Sequence, residues 1–109
     1  MARDRGLEEV IREDLAGERG LSEKAMFGGL AWLLDGHLLC AARVGGMLVR
    51  LGREGEGWAL ALPEIAPMVM RGRQMPGWVW AGADAVADDA LRRRLIAAAV
   101  AFVRTLPAK

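Results

Sequence analysis

KAMFGGLAWLLDGHLLCAARVGGMLVRL, residues 24–51, is the stretch whose reading decides the fold. It holds three apolar runs separated by turn chemistry. Asp35-Gly36 is a two-residue pair of the kind that favours a hairpin, and Gly45-Gly46 marks a second turn. Connections this short force antiparallel neighbours. The stretch therefore reads as a three-stranded meander, with strands over about residues 25–34, at HLLCAARV and at MLVRL. In the middle strand, alternation puts Leu38, Cys40, Ala42 and Val44 on one face and His37, Leu39, Ala41 and Arg43 on the other. The first strand opens on Phe27 and the pair Gly28-Gly29. Glycine packs nothing and loses more backbone freedom than other residues on folding. The pair implies a bulge or a close approach of another backbone, with Phe27 as the anchor beside it.

Working outward, GLEEVIREDLAGERG spaces Leu7, Val10, Ile11 and Leu15 for one face of a helix over roughly residues 4–17, with Asp4 as its cap. After the meander, EGEGWALAL predicts a short helix limited by two glycines and a proline. IAPMVM and GWVWA read as two further strands around the turn RGRQMP, and Pro67 suits an edge because it has no ladder donor. Residues 88–106 carry Leu91, Leu95, Ala98, Ala99, Phe102, Val103 and Leu106 at spacings of three and four, a continuous apolar stripe. Asp88 or Asp84 caps that helix. Helix, three strands, short helix, two strands and a long helix make one α+β domain.

The 109 residues suit one domain with a modest core. No apolar run approaches the ~18 to 20 residues that span a bilayer. The charged start MARDRGLEEV lacks the apolar region of a signal peptide, so a cytoplasmic, membrane-free protein is expected. One cysteine, Cys40, excludes an intrachain disulfide and fits a reducing compartment. The net charge is +1. Residues 1–35 hold five basic and eight acidic side chains, and residues 36–80 and 81–109 each hold five and three. A dedicated DNA binder concentrates basic charge, so direct nucleic-acid binding is not expected.

MFGGLAWLLDGHLLCAARVGGMLVRLG, then ALALPEIAPMVMRGRQMPGWVWA, then a closing helix ending in LPAK, resembles the N-terminal domain of the TfoX/Sxy family. The resemblance runs from Glu23 onward. It lies in the Met-Phe-Gly-Gly opening, the hairpin turn, a strand ending in Leu-Val-Arg, the Gly-Arg-x-Met-x-Gly segment and the terminal Leu-Pro. It implies that residues 1–109 form a single compact α+β unit with a meander sheet and flanking helices. The best-known members of the family are regulators of natural competence that act with the catabolite activator protein at promoters and carry a second domain. The motif residues that the resemblance singles out for binding are Phe27, Gly28, Gly29, Arg50, Gly72, Arg73, Met75 and Gly77.

Catalytic chemistry has little to work with. His37 and Cys40, three apart on a strand, are expected on opposite faces, a surface histidine and a buried thiol. One His and one Cys cannot build a zinc shell, and the adjacent carboxylates Glu8-Glu9, Glu13-Asp14 and Asp88-Asp89 diverge around their helices. No catalytic residue, metal or cofactor is expected. Arg43, Arg50, Arg71 and Arg73 either gather at one edge to receive an anionic group or lie scattered. Arg92 and Arg93 are expected to face solvent and acidic neighbours. RGRQMPGW, residues 71–78, reads as a structural loop without the lysine of a phosphate loop. Trp78 and Trp80 share a face and either fill a core, line a pocket or form a dimer surface. The reading is a non-enzymatic regulatory or interaction domain that forms a homodimer and meets protein partners, the transcription machinery by analogy. A module binding a small anionic ligand is the alternative.

Overall fold

In a computed structural model that describes residues 3–26 and 28–108, Asp35 and Gly36 take φ of 52° and 84°. That left-handed pair is the signature of a tight hairpin turn. It joins β2 (Gly29–Leu34) to β3 (His37–Arg43), and Val44-Gly45 turns the chain into β4 (Gly46–Arg50). The expected first strand is two strands. β1 (Leu21–Met26) precedes β2 and pairs with it antiparallel, from Leu21↔Leu34 to Met26↔Gly29. The two glycines thus serve different ends. Gly28, at φ 75°, turns the chain. Gly29 is the close approach: a Cβ there would overlap the backbone oxygen of Ala42 on β3. Phe27 lies outside the described residues.

A short helix α2 (Gly57–Leu60) follows β4, and the chain then forms the hairpin β5 (Ile65–Met70) and β6 (Arg73–Gly82). The expected loop 71–78 is a two-residue turn, Arg71-Gly72, and the first half of β6. The six strands are ordered β1-β2-β3-β4-β6-β5, antiparallel throughout. Pro67 does sit on an edge strand, beside a register shift between Pro67 and Val69.

One register shift corrects the expected faces of β3. Trp32 pairs with Cys40 but Leu33 pairs with Leu38, so Leu39 is an extra residue. A bulge of this kind breaks the two-residue alternation. Leu39, Cys40 and Ala42 all join the core beneath the helices, whereas Leu38 and Ala41 belong to the cluster on the other face. His37, opposite Leu34, therefore shares the covered side with Cys40 rather than opposing it.

The helices α1 (Arg5–Asp14), α3 (Ala83–Ala87) and α4 (Asp89–Val103) bring their apolar sides to that covered face. Asp4 accepts from Leu7 N at 3.0 Å and Asp88 from Leu91 N at 3.1 Å, satisfying amides that the first helical turn leaves free. Ile11, Leu15, Trp32, Leu34, Leu39, Met47 and Leu95 are withdrawn from solvent, each large apolar side chain contributing about 1.5–3 kcal/mol. Arg92 has the expected acidic neighbours but not the expected solvent. It is 3% exposed and donates to Asp14 at 2.6 Å, Asp89 at 2.7 Å and Val86 O at 2.9 Å. Asp14 ends α1, so this ion pair ties the first helix to the last. Arg93, as expected, is exposed.

Two consequences are measurable by urea denaturation. Gly29→Ala drives a methyl into a backbone carbonyl and lowers stability by about 1–3 kcal/mol; an unchanged midpoint would remove the close-approach account. Arg92→Leu leaves the buried Asp14 carboxylate with only the exposed Arg93, at 3.4 Å, and costs about 3–5 kcal/mol, whereas Arg92→Leu with Asp14→Leu regains most of the loss. Additive losses in the double variant would show that the two side chains act independently.

Candidate functional site

All the packed helices lie on one side, so among the described residues the other face of the sheet has no covering layer of its own. Its side chains cover one another. Ala31, Ala41, Leu48 and Met68 form a buried floor, and Met26, Leu38, Met70, Met75, Trp78 and Trp80 pack around it. Small residues at the centre let the long ones lie down over them, which removes apolar area from water without a second layer. Trp78 and Trp80 do share this face.

Charge is sorted between the two faces. Apart from His37 and Cys40, the strands carry five ionisable residues, Glu23, Lys24, Arg43, Arg50 and Arg73. Glu23 faces the helices, where it accepts from Arg12 at 2.6 Å and from Trp32 Nε1 at 3.0 Å. The Arg12 hydrogen bond, aided by that of Trp32, holds its carboxyl below the usual range. The four cations face the other way. Lys24 pairs with Ala31 and Arg73 with Met70. Arg43 lies 5.8 Å from the Trp80 ring centre and Arg50 5.7 Å from that of Trp78. Among the described residues none of the four is in an ion pair, while Arg3, Arg12, Arg92, Arg93 and Arg104 all are.

Clefts open at both ends of this face. At one, Arg43, Val44, Pro67, Met68, Val69 and Trp80 line about 330 Å³. Val44 and Val69 are 61% and 54% exposed, the exposed large hydrophobic residues among those described. At the other, Arg50, Gly52, Gly77, Trp78, Phe102 and Thr105 border about 600 Å³, with Arg53 and Glu54 at the rim. Arg71 and Arg73 line a third, about 490 Å³, which shares Trp78.

The residues singled out in the sequence are accordingly divided. Arg50, Gly77 and Trp78 meet at the larger cleft, where the Gly77 N–H donates to the Glu56 carboxylate at 2.8 Å. Gly72 forms the β5–β6 turn nearby, and Arg73 and Met75 start β6. Gly28 and Gly29 are far from them, at the Arg43 end. The arginine cluster divides likewise: Arg50, Arg71 and Arg73 share one end, and Arg43 holds the other. Val44, Val69 and Phe102 were not foreseen as site residues. Val44 read as the end of a strand, and Phe102 belongs to a helix stripe whose neighbour across the fold no local pattern names.

The model of a family described as TfoX N-terminal domain matches residues 13–103. No curated protein and no solved structure matches the chain.

The matched span includes His37 and Cys40. The His37 Nε2 bonds the Pro107 carbonyl. Cys40 is fully buried, and that burial pushes its thiol up to about 12. It is thus held as an unreactive thiol. Among the described residues no group of three His, Cys, Asp or Glu side chains could hold a metal, and no helix is long and apolar enough to cross a membrane. In an Ellman assay the folded chain should label only as fast as it opens, with one thiol released at once in denaturing guanidinium. Rapid stoichiometric labelling of folded protein would contradict the burial of Cys40.

Proposed function

The chain belongs to the TfoX N-terminal domain family, and from that premise we propose that it is a non-enzymatic regulatory domain that docks a protein partner on the uncovered face of its sheet. One observation carries this reading. Val44 and Val69, which leave their apolar surface in water, border the same cleft as Trp80 and Arg43. Apolar area left in water costs about 25 cal/mol per Å², and a partner's apolar anchor seated between the valines would recover it. Tryptophan and arginine are the side chains that most often carry interface energy.

The charge of the face states the partner's chemistry. Among the described residues Lys24, Arg43, Arg50 and Arg73 are in no ion pair, so a surface bearing carboxylates beside an apolar anchor is complementary to the face. Two copies set face to face would oppose like charges. The occupant proposed is therefore a different, acidic protein, and a second copy of the chain is its competitor. Buried Cys40 and the backbone-bound His37 support a role through contact rather than through covalent chemistry.

The test is site-specific photo-crosslinking in the cells that make the protein, from Val44, from Val69 and from Ala97 on the exposed side of α4. Crosslinks to one other polypeptide from both valines, absent from Ala97 and reduced about tenfold or more by Arg43→Glu in a folded chain, are expected. Crosslinks only between copies of the chain, equal yields from Ala97, or indifference to Arg43→Glu would overturn the proposal.

A further inference from the structure

A charged group that leaves water needs partners in return. Arg92, buried, and Arg50, half-buried, are treated oppositely. Arg92 is saturated by two carboxylates and a carbonyl. Arg50, half-buried at the end of β4, has one long hydrogen bond, 3.4 Å to Leu38 O. Among the described residues no carboxylate lies within ion-pair distance of it. Its guanidinium carbon is 5.7 Å from the ring centre of Trp78 and 5.7 Å from that of Phe102. Two aromatic rings thus stand against a cation whose hydrogen-bonding capacity of five N–H groups is nearly unspent.

The cleft that Arg50 borders has the size of a small-molecule site, about 600 Å³ against the usual 300–1,000 Å³. Its remaining polar groups are largely committed. Glu56 takes the Gly77 N–H. The Phe102 carbonyl, near the end of α4, already accepts both the Thr105 N–H at 3.0 Å and the Thr105 hydroxyl at 2.6 Å. Gly52 has no side chain, and a Cβ there would press into the Phe102 ring, so the wall beside Arg50 is aromatic and close. Arg53 and Glu54 at the rim offset one another in charge.

We propose that this cleft binds a small molecule bearing one carboxylate on a flat, apolar body. The carboxylate takes the forked edge of the Arg50 guanidinium with two parallel hydrogen bonds. The flat body lies against Trp78 and Phe102. A single charge matches the site, because Arg50, Arg53 and Glu54 give its lining a net charge of +1. The site stands apart from the Val44–Val69 cleft and does not depend on a protein partner.

Benzoate and its neutral twin benzamide test the proposal on the native chain, by amide and indole NMR shifts. Benzoate should saturably move the Trp78 indole signal and the Gly52 and Gly77 amides, and bind about tenfold or more tightly than benzamide. Arg50→Lys keeps the charge but loses the fork, and should weaken benzoate about fivefold or more. Equal shifts from benzamide, shifts centred elsewhere, or no saturable shift would overturn the assignment. The comparison of the two probes decides the matter even if the Arg50 variant does not fold.

Discussion

The rest of the structure depends on one extra residue in β3. A sheet covered on a single side must send every second side chain to the helices, and Leu39 interrupts that rhythm between Leu38 and Cys40. Two consecutive residues therefore reach the core. Beyond the bulge Ala41, a side chain small enough to be roofed by its neighbours, falls on the other face. With the alternation unbroken, Ala41 would fall on the same face as Leu39, and Cys40 and Ala42 on the same face as Leu38. The core under α1 and α4, and the low floor beneath the tryptophans, both follow from this local change of phase.

What the sequence made legible was local. Asp35-Gly36 turned as its chemistry required, Asp4 and Asp88 capped, and the apolar stripe of α4 packed. β1 escaped because LSEKAM is an edge strand whose four central residues are all exposed, so it has no alternation to read. Arg92 escaped because Arg92-Arg93-Arg94 looks uniformly solvated, and its partner Asp14 lies at the far end of the chain. The candidate site divides in the same way. The shared face of Trp78 and Trp80 followed from parity, whereas the meeting of Arg50 with Phe102 depends on where α4 crosses the end of β4, a tertiary fact.

The near-neutral charge count concealed an arrangement rather than a lack of one. Every ion pair among the described residues joins an acid to an arginine of the helices, the N-terminal segment or the turn after α4, and none takes in the strand cations. Segregation of this kind sums to almost nothing over the chain yet gives one surface a definite sign, and surfaces rather than totals meet partners. The edges of the sheet carry their own safeguards: charged residues on β1, and Pro67 with its irregular register on β5, both discourage further strands from adding.

The strand order has a consequence for how the chain reaches this state. Four of the five pairings join strands adjacent in sequence through short turns, and only β4 with β6 must reach across α2 and β5. The neighbouring pairs can zip at the microsecond pace of hairpins, while the long closure waits on loop entropy. The topology divides the sheet into a four-stranded meander and a two-stranded arm. The seam between them runs from Gly46–Gly82 to Arg50–Trp78, so the pairing with the longest loop to close is the one that brings the arginine to its tryptophan.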